Sequence, residues 1–213
     1  MSPAARFATW GLDRSLAGGS FVQVNSRVGG EVASSAGQAA QDVALAALLG
    51  GNLFGRLAMN RALGEISDKS ERGKVLNRAW GRYGTVNSLA LAVLVGGWLP
   101  TRLNENRRLS VTERRLAVAK DVAIGAVVVT GLASAAGGVR FAHQAPGGAV
   151  PMESGRTAAA ETPAGAARLK RTVNALGALN LFSELALVII DASLSQAGSR
   201  PQPAGRRLRG RRA

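Results

Sequence analysis

The stretch "LNLFSELALVIIDASL", from Leu179 to Leu194, decides the fold. A bilayer core ~30 Å thick is crossed by ~20 helical residues, and this apolar run with its flanking residues has that length. Two carboxylates, Glu184 and Asp191, interrupt it. A charge inside the bilayer costs at least ~2.5–3.5 kcal/mol on insertion scales, so such residues are expected to face other helices. The run therefore predicts one helix of a membrane bundle whose polar side chains turn inward.

Three further runs along the chain share this length and this shortage of charge. The four predicted membrane spans are about 42–60, 80–99, 116–138 and 172–194. Aromatic residues frame the second span, with Trp80 at its start and Trp98 near its end, and the headgroup region of a bilayer favours such rings. We therefore expect an all-α fold, a bundle of four transmembrane helices that run antiparallel in up-down order.

The composition favours this membrane bundle over an Ala-rich soluble bundle, which is the alternative. Hydrophobic residues make up 46% of the chain and charged residues 19%, against ~25% charged residues in soluble domains. The run "AIGAVVVTGLASAAGG" (123–138) lacks the charged face that a surface helix of a soluble protein shows. Glycine is frequent, and the spacing in "GNLFG" (Gly51–Gly55) is one that lets membrane helices approach closely.

Several classes of chemistry are excluded by the residue types. The chain has no cysteine and a single histidine, His143, which stands in the Gly/Pro-rich segment "FAHQAPGG". Disulfides, thiolate chemistry, a Ser–His hydrolase and a zinc site of several imidazoles are therefore not expected. A phosphate-binding glycine loop that opens a βα unit is also missing. We expect no metal and no cofactor.

The rest of the chain divides around a membrane domain at 42–194. Residues 1–41 are predicted to be a flexible soluble or interfacial segment, and 139–171, rich in Pro, Gly and Ala, to be a mobile loop. Residues 195–213 are predicted to be a disordered tail. Basic residues are more numerous on the side of the two termini, which favours a multi-pass protein of the plasma membrane with both termini in the cytoplasm.

The tail is strongly basic, and the formal net charge of the whole chain is +14. Its last five arginines are Arg206, Arg207, Arg209, Arg211 and Arg212. Such residues attract anionic lipid headgroups at about 1 kcal/mol each near the surface. Nucleic-acid binding is the alternative, but no aromatic residue interleaves with these arginines for base stacking. Membrane lipids are therefore the expected partner, and nucleic acid is not.

The buried polar residues predict one site at mid-membrane depth. Asn180 and Glu184 stand four residues apart in the fourth run, so they share one stripe of a helix. Arg56 in the first run has a matching depth, and we expect it to pair with Glu184. Asn52, Asn87 and Asn180 are expected to support that pair. The site either fixes the helix packing as a structural ion pair or binds a proton or ligand.

A second polar cluster is expected in the opposite half of the bundle. Lys120, Asp121 and Asp191 belong to it, because all three lie near the ends of their runs. Long basic side chains at such positions reach the interface, so this cluster is weaker evidence for a function.

The order of three motifs carries a resemblance. The motifs are "GNLFGRLAMNRALGEISDKSERGKVLNRAWGRYG", "RRLSVTERRLAVAKD" and "RFAHQAPGGAVP". Their order resembles that of a group of uncharacterised integral membrane proteins from actinobacteria, over most of Leu49–Leu194. The four-span plan is also distantly similar to small membrane proteins of the DoxX and anthrone-oxygenase-like kind. The resemblance implies a four-helix membrane protein and no particular activity or site residue.

Two functions of different classes follow from these observations. The first is a non-enzymatic accessory or interaction protein whose partner is another membrane protein or a second copy of the chain. The alternative is a small transporter, or a membrane enzyme that uses Glu184 on a lipophilic, quinone-like substrate. The lack of a catalytic motif favours the non-enzymatic function.

Overall fold

The computed structural model describes residues 15–103 and 110–198, with side chains for 35–100, 102–103 and 110–196. These residues are almost entirely helical and form no β-strand, which confirms the expected all-α class. The four long helices are α1 (Ser15–Phe54), α2 (Lys69–Leu103), α3 (Val111–Ala142) and α4 (Ala164–Gly198). Short turns of π, α and 3-10 helix continue from α1 through Gly55–Met59, Asn60–Ala62 and Leu63–Glu65.

The chain divides into two compact units between Ala40 and Gln41. The described part of the first unit, residues 15–40, is helical throughout. It falls within the segment predicted to be soluble or interfacial. The second unit contains the rest of α1 and the other three long helices, and all sites described below belong to it.

Three helical segments are long and apolar enough to cross a membrane: Ser35–Glu65, Val111–Ala142 and Ala164–Gln196. Their mean hydropathies are 1.2, 2.0 and 1.8, and they contain three of the four predicted spans. The remaining one, 80–99, lies inside α2 and is not among them. The reason is that α2 is basic in its first half, from Arg72 to Arg82, so its uninterrupted apolar stretch is short.

The outer surface of the three apolar segments is itself apolar. Only 22%, 28% and 17% of their most apolar windows are buried. The most exposed large side chains include Phe54, Val122, Val129, Phe182 and Ile189. Water would disfavour such a surface, whereas lipid accommodates it, so the exposed faces suit a membrane.

Side-chain caps fix where two of the long helices begin. Ser110 and Glu113 form a capping box at the start of α3. The Ser110 hydroxyl accepts from the Glu113 amide at 3.2 Å, and the Glu113 carboxylate accepts from the Ser110 amide at 2.8 Å. Asp68 accepts from the amides of Ser70 and Glu71 at the start of α2. These side chains satisfy amides that have no partner inside the helix.

All four long helices contribute to one apolar core. Its buried members are Ala44, Leu45 and Leu48 of α1, Ala90, Leu91 and Leu94 of α2, Ala123, Ile124 and Val127 of α3, and Leu187 of α4. As a whole, α2 is not apolar enough to count among the candidate spans. Its apolar half nevertheless packs in the same core as the three candidate spans.

A second core lies where the connection between α3 and α4 packs against the start of α2. Its buried members are Leu63, Leu76, Phe141, Val150, Met152 and Ala166. The segment 139–171, predicted to be a mobile loop, is therefore divided: 139–142 belong to α3, 164–171 belong to α4, and 143–163 place Val150 and Met152 in this core. A turn of 3-10 helix at Pro146–Gly148 uses positive φ at its two glycines to redirect the chain.

Arg72 holds the connection in place from inside. Arg72 is only 7% exposed. Its guanidinium donates to the backbone carbonyls of Gly64, Ile66, Met152 and Glu153. These carbonyls lie in irregular segments, where no helix partner satisfies them. The sequence analysis did not single out Arg72, because a basic residue near a helix start is usually exposed.

A surface ion pair adds to this link. Lys69 Nζ lies 2.8 Å from Glu153 Oε2 and 3.6 Å from Glu161 Oε2. The hydrogen bond between Lys69 and Glu153 raises the pKa of Lys69 and lowers the pKa of Glu153. The contribution of Glu153 to stability is therefore present above its unfolded pKa and lost as pH falls through its folded pKa. The contribution of Lys69 to stability is present below the unfolded pKa of Lys69 and is lost as pH rises through its folded pKa.

Gly51 of α1 and Gly55 of the π-helical turn make room for aromatic rings of α2. A Cβ at Gly51 would overlap the Tyr83 ring, and a Cβ at Gly55 would lie 2.5 Å from Trp80 Cζ2. The two rings meet edge to face with centroids 5.9 Å apart. The spacing in "GNLFG" therefore serves ring packing here, and the Tyr83 hydroxyl donates to the Ala47 carbonyl at 2.7 Å.

Replacing Arg72 by alanine is expected to destabilise the second core by about 1–3 kcal/mol, since a buried carbonyl left unpaired, here that of Met152, costs ~1–3 kcal/mol, while the other acceptors are only partly buried. Thermal unfolding in detergent, with limited proteolysis of the connection, measures the effect. The matched control is Arg78→Ala, which removes an exposed arginine of the same helix. Equal stability of the two variants would contradict the role assigned to Arg72.

Gly51→Ala is expected to destabilise the bundle by about 1–3 kcal/mol, because the added methyl must displace the Tyr83 ring. Gly50→Ala adds the same methyl next to it, where nothing lies within 4 Å of the new Cβ, and is expected to be neutral or mildly stabilising. Unfolding temperatures of the two variants in the same detergent make the comparison. A neutral Gly51→Ala would show that the ring is not packed there.

Candidate functional site

The site forms around Glu184, whose residue is fully buried at 0% exposure. Glu184 and Asn180 lie one turn apart on α4, as their spacing predicts. Asn52 reaches the same point from α1 and Thr130 from α3, so three helices meet in one polar cluster. Each of these residues stands near the middle of its candidate span. The cluster therefore lies about half-way along the three candidate spans.

The two oxygens of Glu184 have different surroundings. Oε1 accepts hydrogen bonds from Asn52 Nδ2 at 2.8 Å and from Asn180 Nδ2 at 2.6 Å. Oε2 is buried and has no hydrogen-bond partner among the described residues. A carboxylate usually accepts on both oxygens when it is buried, so the bare Oε2 is the unusual feature of the site.

Thr130 connects this carboxyl to α3. Its Oγ1 lies 2.8 Å from Asn180 Oδ1 and 2.5 Å from the Ala126 carbonyl oxygen. Both neighbours are acceptors, and a hydroxyl has a single proton to donate. When the Asn180 amide has this orientation, Thr130 can therefore donate a hydrogen bond to only one of these two oxygens.

The predicted ion pair between Arg56 and Glu184 is not formed. Arg56 Nη2 donates instead to the Asn174 carbonyl at 3.3 Å, and Gly177 leaves room for it, since a Cβ there would lie 3.0 Å from Nη2. The physical reason is the π-helical turn Gly55–Met59, which changes the direction of Arg56 relative to a regular α-helix. Glu184 attracts Arg56 only at longer range.

The structure brings together only some of the other residues predicted for this site. Asn52, Asn180 and Glu184 meet, whereas Asn87 is half-buried and makes no side-chain hydrogen bond with them. Thr130 belongs to the site and was not predicted. Its signal in the sequence is a hydroxyl in the middle of the otherwise apolar run "AVVVTGLA".

The second polar cluster forms two separate links near the other end of the apolar core. Lys120 Nζ lies 2.6 Å from Asp191 Oδ1, and both side chains are 17% exposed, so this ion pair joins α3 to α4. Asp121 turns the other way and accepts from Trp98 Nε1 at 2.9 Å and from Arg102 Nε at 2.8 Å. These contacts join α3 to α2.

Some predicted residues have no bearing on this site. The tail arginines, Arg206 to Arg212, lie outside the described residues. His143 is exposed at the end of α3. Within the described ranges, no group of three or more His, Asp or Glu side chains is arranged to hold a metal ion.

Thr130→Val is expected to destabilise the protein by about 1–2 kcal/mol, because it deprives Asn180 of its partner on α3 while keeping the shape of the side chain. Thr172→Val is the matched control, since its hydroxyl is exposed and bonds only to its own helix. Unfolding temperatures in detergent distinguish them. If Thr130→Val were no less stable than Thr172→Val, the hydrogen bond to Asn180 would contribute nothing.

Comparisons with known proteins assign no family. A scan against models of protein families gives no match, and neither do searches of curated proteins and of solved structures. The resemblance to actinobacterial membrane proteins therefore stays a prediction, and the function is inferred from the geometry of the described residues.

Proposed function

We propose that this chain is a four-span protein of the bacterial plasma membrane in which Glu184 takes up and releases a proton at mid-membrane, as a small proton-linked transporter requires. The observation that carries the proposal is the bare, fully buried Oε2 of Glu184. An ionised carboxylate there has no ion pair to neutralise it, and such a charge is costly inside a bilayer. Binding a proton removes that charge.

The hydrogen bonds around Glu184 support both protonation states. In the ionised state the Asn180 amide nitrogen faces Oε1, as described. In the protonated state the Asn180 amide is turned by half a rotation, so that Glu184 donates to Asn180 Oδ1. Asn180 Nδ2 then donates to Thr130 Oγ1, and Thr130 donates to the Ala126 carbonyl. This second arrangement gives every contact one proton, and the heavy atoms keep their places.

The fourth span in this proposal is the second half of α2. Its residues Ala90, Leu91 and Leu94 lie in the core shared with the other three helices. Leu89 is 67% exposed and Leu99 44% exposed, so that half also has an apolar outer face. Four spans place both termini on one side, and the excess of basic residues on that side favours the cytoplasm.

A second candidate is the non-enzymatic accessory or interaction protein. It is favoured by the closed surroundings of Glu184, which is 0% exposed. In this case the cluster of Asn52, Thr130, Asn180 and Glu184 serves to fix three helices against one another. A partner membrane protein or a second copy would then cover part of the exposed apolar face.

Glu184→Gln tests the proton site directly. Infrared difference spectroscopy of the full chain in nanodiscs records the C=O stretch of protonated carboxyl groups while the pH is lowered from about 9 to about 6, a range in which exposed carboxylates stay ionised because their pKa values lie near ~4. We expect a band that titrates with pH and is absent from Glu184→Gln. The matched control, Glu161→Gln, removes an exposed carboxylate and should keep the band. A titrating band that persists in Glu184→Gln would contradict the proposal.

Proton flux into proteoliposomes, followed with an enclosed pH-sensitive dye, separates the two candidates. For a transporter, Glu184→Gln should unfold at nearly the wild-type temperature while its flux falls to that of empty vesicles. For an accessory protein, the wild type itself should give no flux, and Glu184→Gln should lower the unfolding temperature or the recovery of a partner.

A further inference from the structure

An open groove of about 580 Å³ lies where the first candidate span ends. It is lined by Arg56, Leu57, Asn60, Arg61 and Gly64 after α1 and by Ser154 and Arg156 of the connection. Its charged side chains are all arginines, and Arg61 and Arg156 are exposed. The groove is separate from the cluster around Glu184.

Among the residues that the structure describes, no carboxylate lies within ion-pair distance of the positive charges of this region. Arg56 and Arg156 lie close enough to repel each other, and Arg56 also repels Lys170. None of these three, nor Arg61, forms an ion pair with any carboxylate of the described residues. Lys170 is only 7% exposed, and its ammonium contacts the Phe141 ring, 5.5 Å from the centroid. Like charges held together in this way favour a bound anion.

Hydrogen bonds fix the Arg56 side chain and the Arg156 backbone at the groove. Asn174 of α4 accepts from Arg56 Nη2 at 3.3 Å and donates through Nδ2 to the Arg156 carbonyl at 2.6 Å. The turn before Arg156 is closed by Ser154 Oγ, which accepts from the Arg156 amide at 3.2 Å. Gly155 packs so closely on Asn60 that a Cβ would lie 2.5 Å from its Oδ1.

We propose that this groove binds a phosphate group carried by an anionic lipid, with Arg61 and Arg156 as its ligands and Arg56 behind them. The planar guanidinium matches phosphate oxygens with two parallel hydrogen bonds. Two observations favour a lipid over free phosphate as the source. Leu57, 59% exposed, lines the same groove, and Phe54, 65% exposed, lies about one turn before it, so an acyl chain has an apolar path beside the phosphate. The groove also lies at the end of the span, which is the depth of headgroups.

The test uses the full chain, stripped of lipid in detergent. Binding of fluorescent phosphatidylglycerol and phosphatidylcholine is titrated, and native mass spectrometry counts bound lipids. We expect phosphatidylglycerol to bind tighter than phosphatidylcholine by about tenfold or more, which corresponds to ~1.4 kcal/mol. The double variant Arg61→Gln/Arg156→Gln should lose this preference while its unfolding temperature stays near that of the wild type, because both side chains are exposed.

The matched control is Arg168→Gln/Arg171→Gln, which removes the same charge from exposed positions of α4 outside the groove. The basic tail is present in every variant, so its attraction for lipid cancels in the comparison. A groove variant that keeps the full wild-type preference, or a control variant that loses as much of it as the groove variant does, would overturn the proposal. Inorganic phosphate should not compete with the lipid at equal concentration, and equal competition would assign the groove to soluble phosphate instead.

Discussion

Hydrocarbon cannot hydrogen-bond, so every polar side chain within a membrane span must find its partner inside the protein. This constraint accounts for the arrangement of the bundle. The amides of Asn52 and Asn180 both meet the carboxyl of Glu184, and Lys120 meets Asp191. The opposite faces of the same helices are apolar and exposed. Where the chain leaves the apolar region the rule still holds for the backbone, because Arg72 satisfies the carbonyls of the irregular segments.

Sequence patterns predict depth and face well where a helix is regular. The spacing of Asn180 and Glu184 and the central position of Asn52 are sufficient to bring these three side chains together, and the structure does so. The same reasoning gives a wrong partner for Arg56. A π-helical turn begins immediately before it, at Gly55, and that turn changes its direction without changing its depth. No residue type in "GRLAM" signals this turn, so the sequence alone could not predict it.

Composition is a poorer guide than single side chains for the connection between α3 and α4. Its Pro, Gly and Ala content predicts a loop without fixed structure, but two large apolar residues, Val150 and Met152, are enough to anchor it in a core. The same difference applies to α2. Its basic first half lowers its mean hydropathy, although its second half packs with the three candidate spans. The first half of α2 packs in the second core, and its second half packs in the core shared by all four long helices. No single pattern of apolar residues therefore describes the whole helix.

The two hydrogen-bond arrangements of Glu184 do not affect all three helices equally. When Glu184 is ionised, Asn52 donates to a charged oxygen, and such bonds are about twice as strong as neutral ones. A proton on Glu184 weakens this link to α1, whereas the link to α3 gains a properly donated bond through Asn180 and Thr130. The helices α3 and α4 also pack closely at glycine, as Gly137 shows, since a Cβ there would lie 2.7 Å from Val173 Cγ2. If Glu184 binds a proton as proposed, protonation would therefore loosen its link to α1 and leave the α3–α4 pair intact.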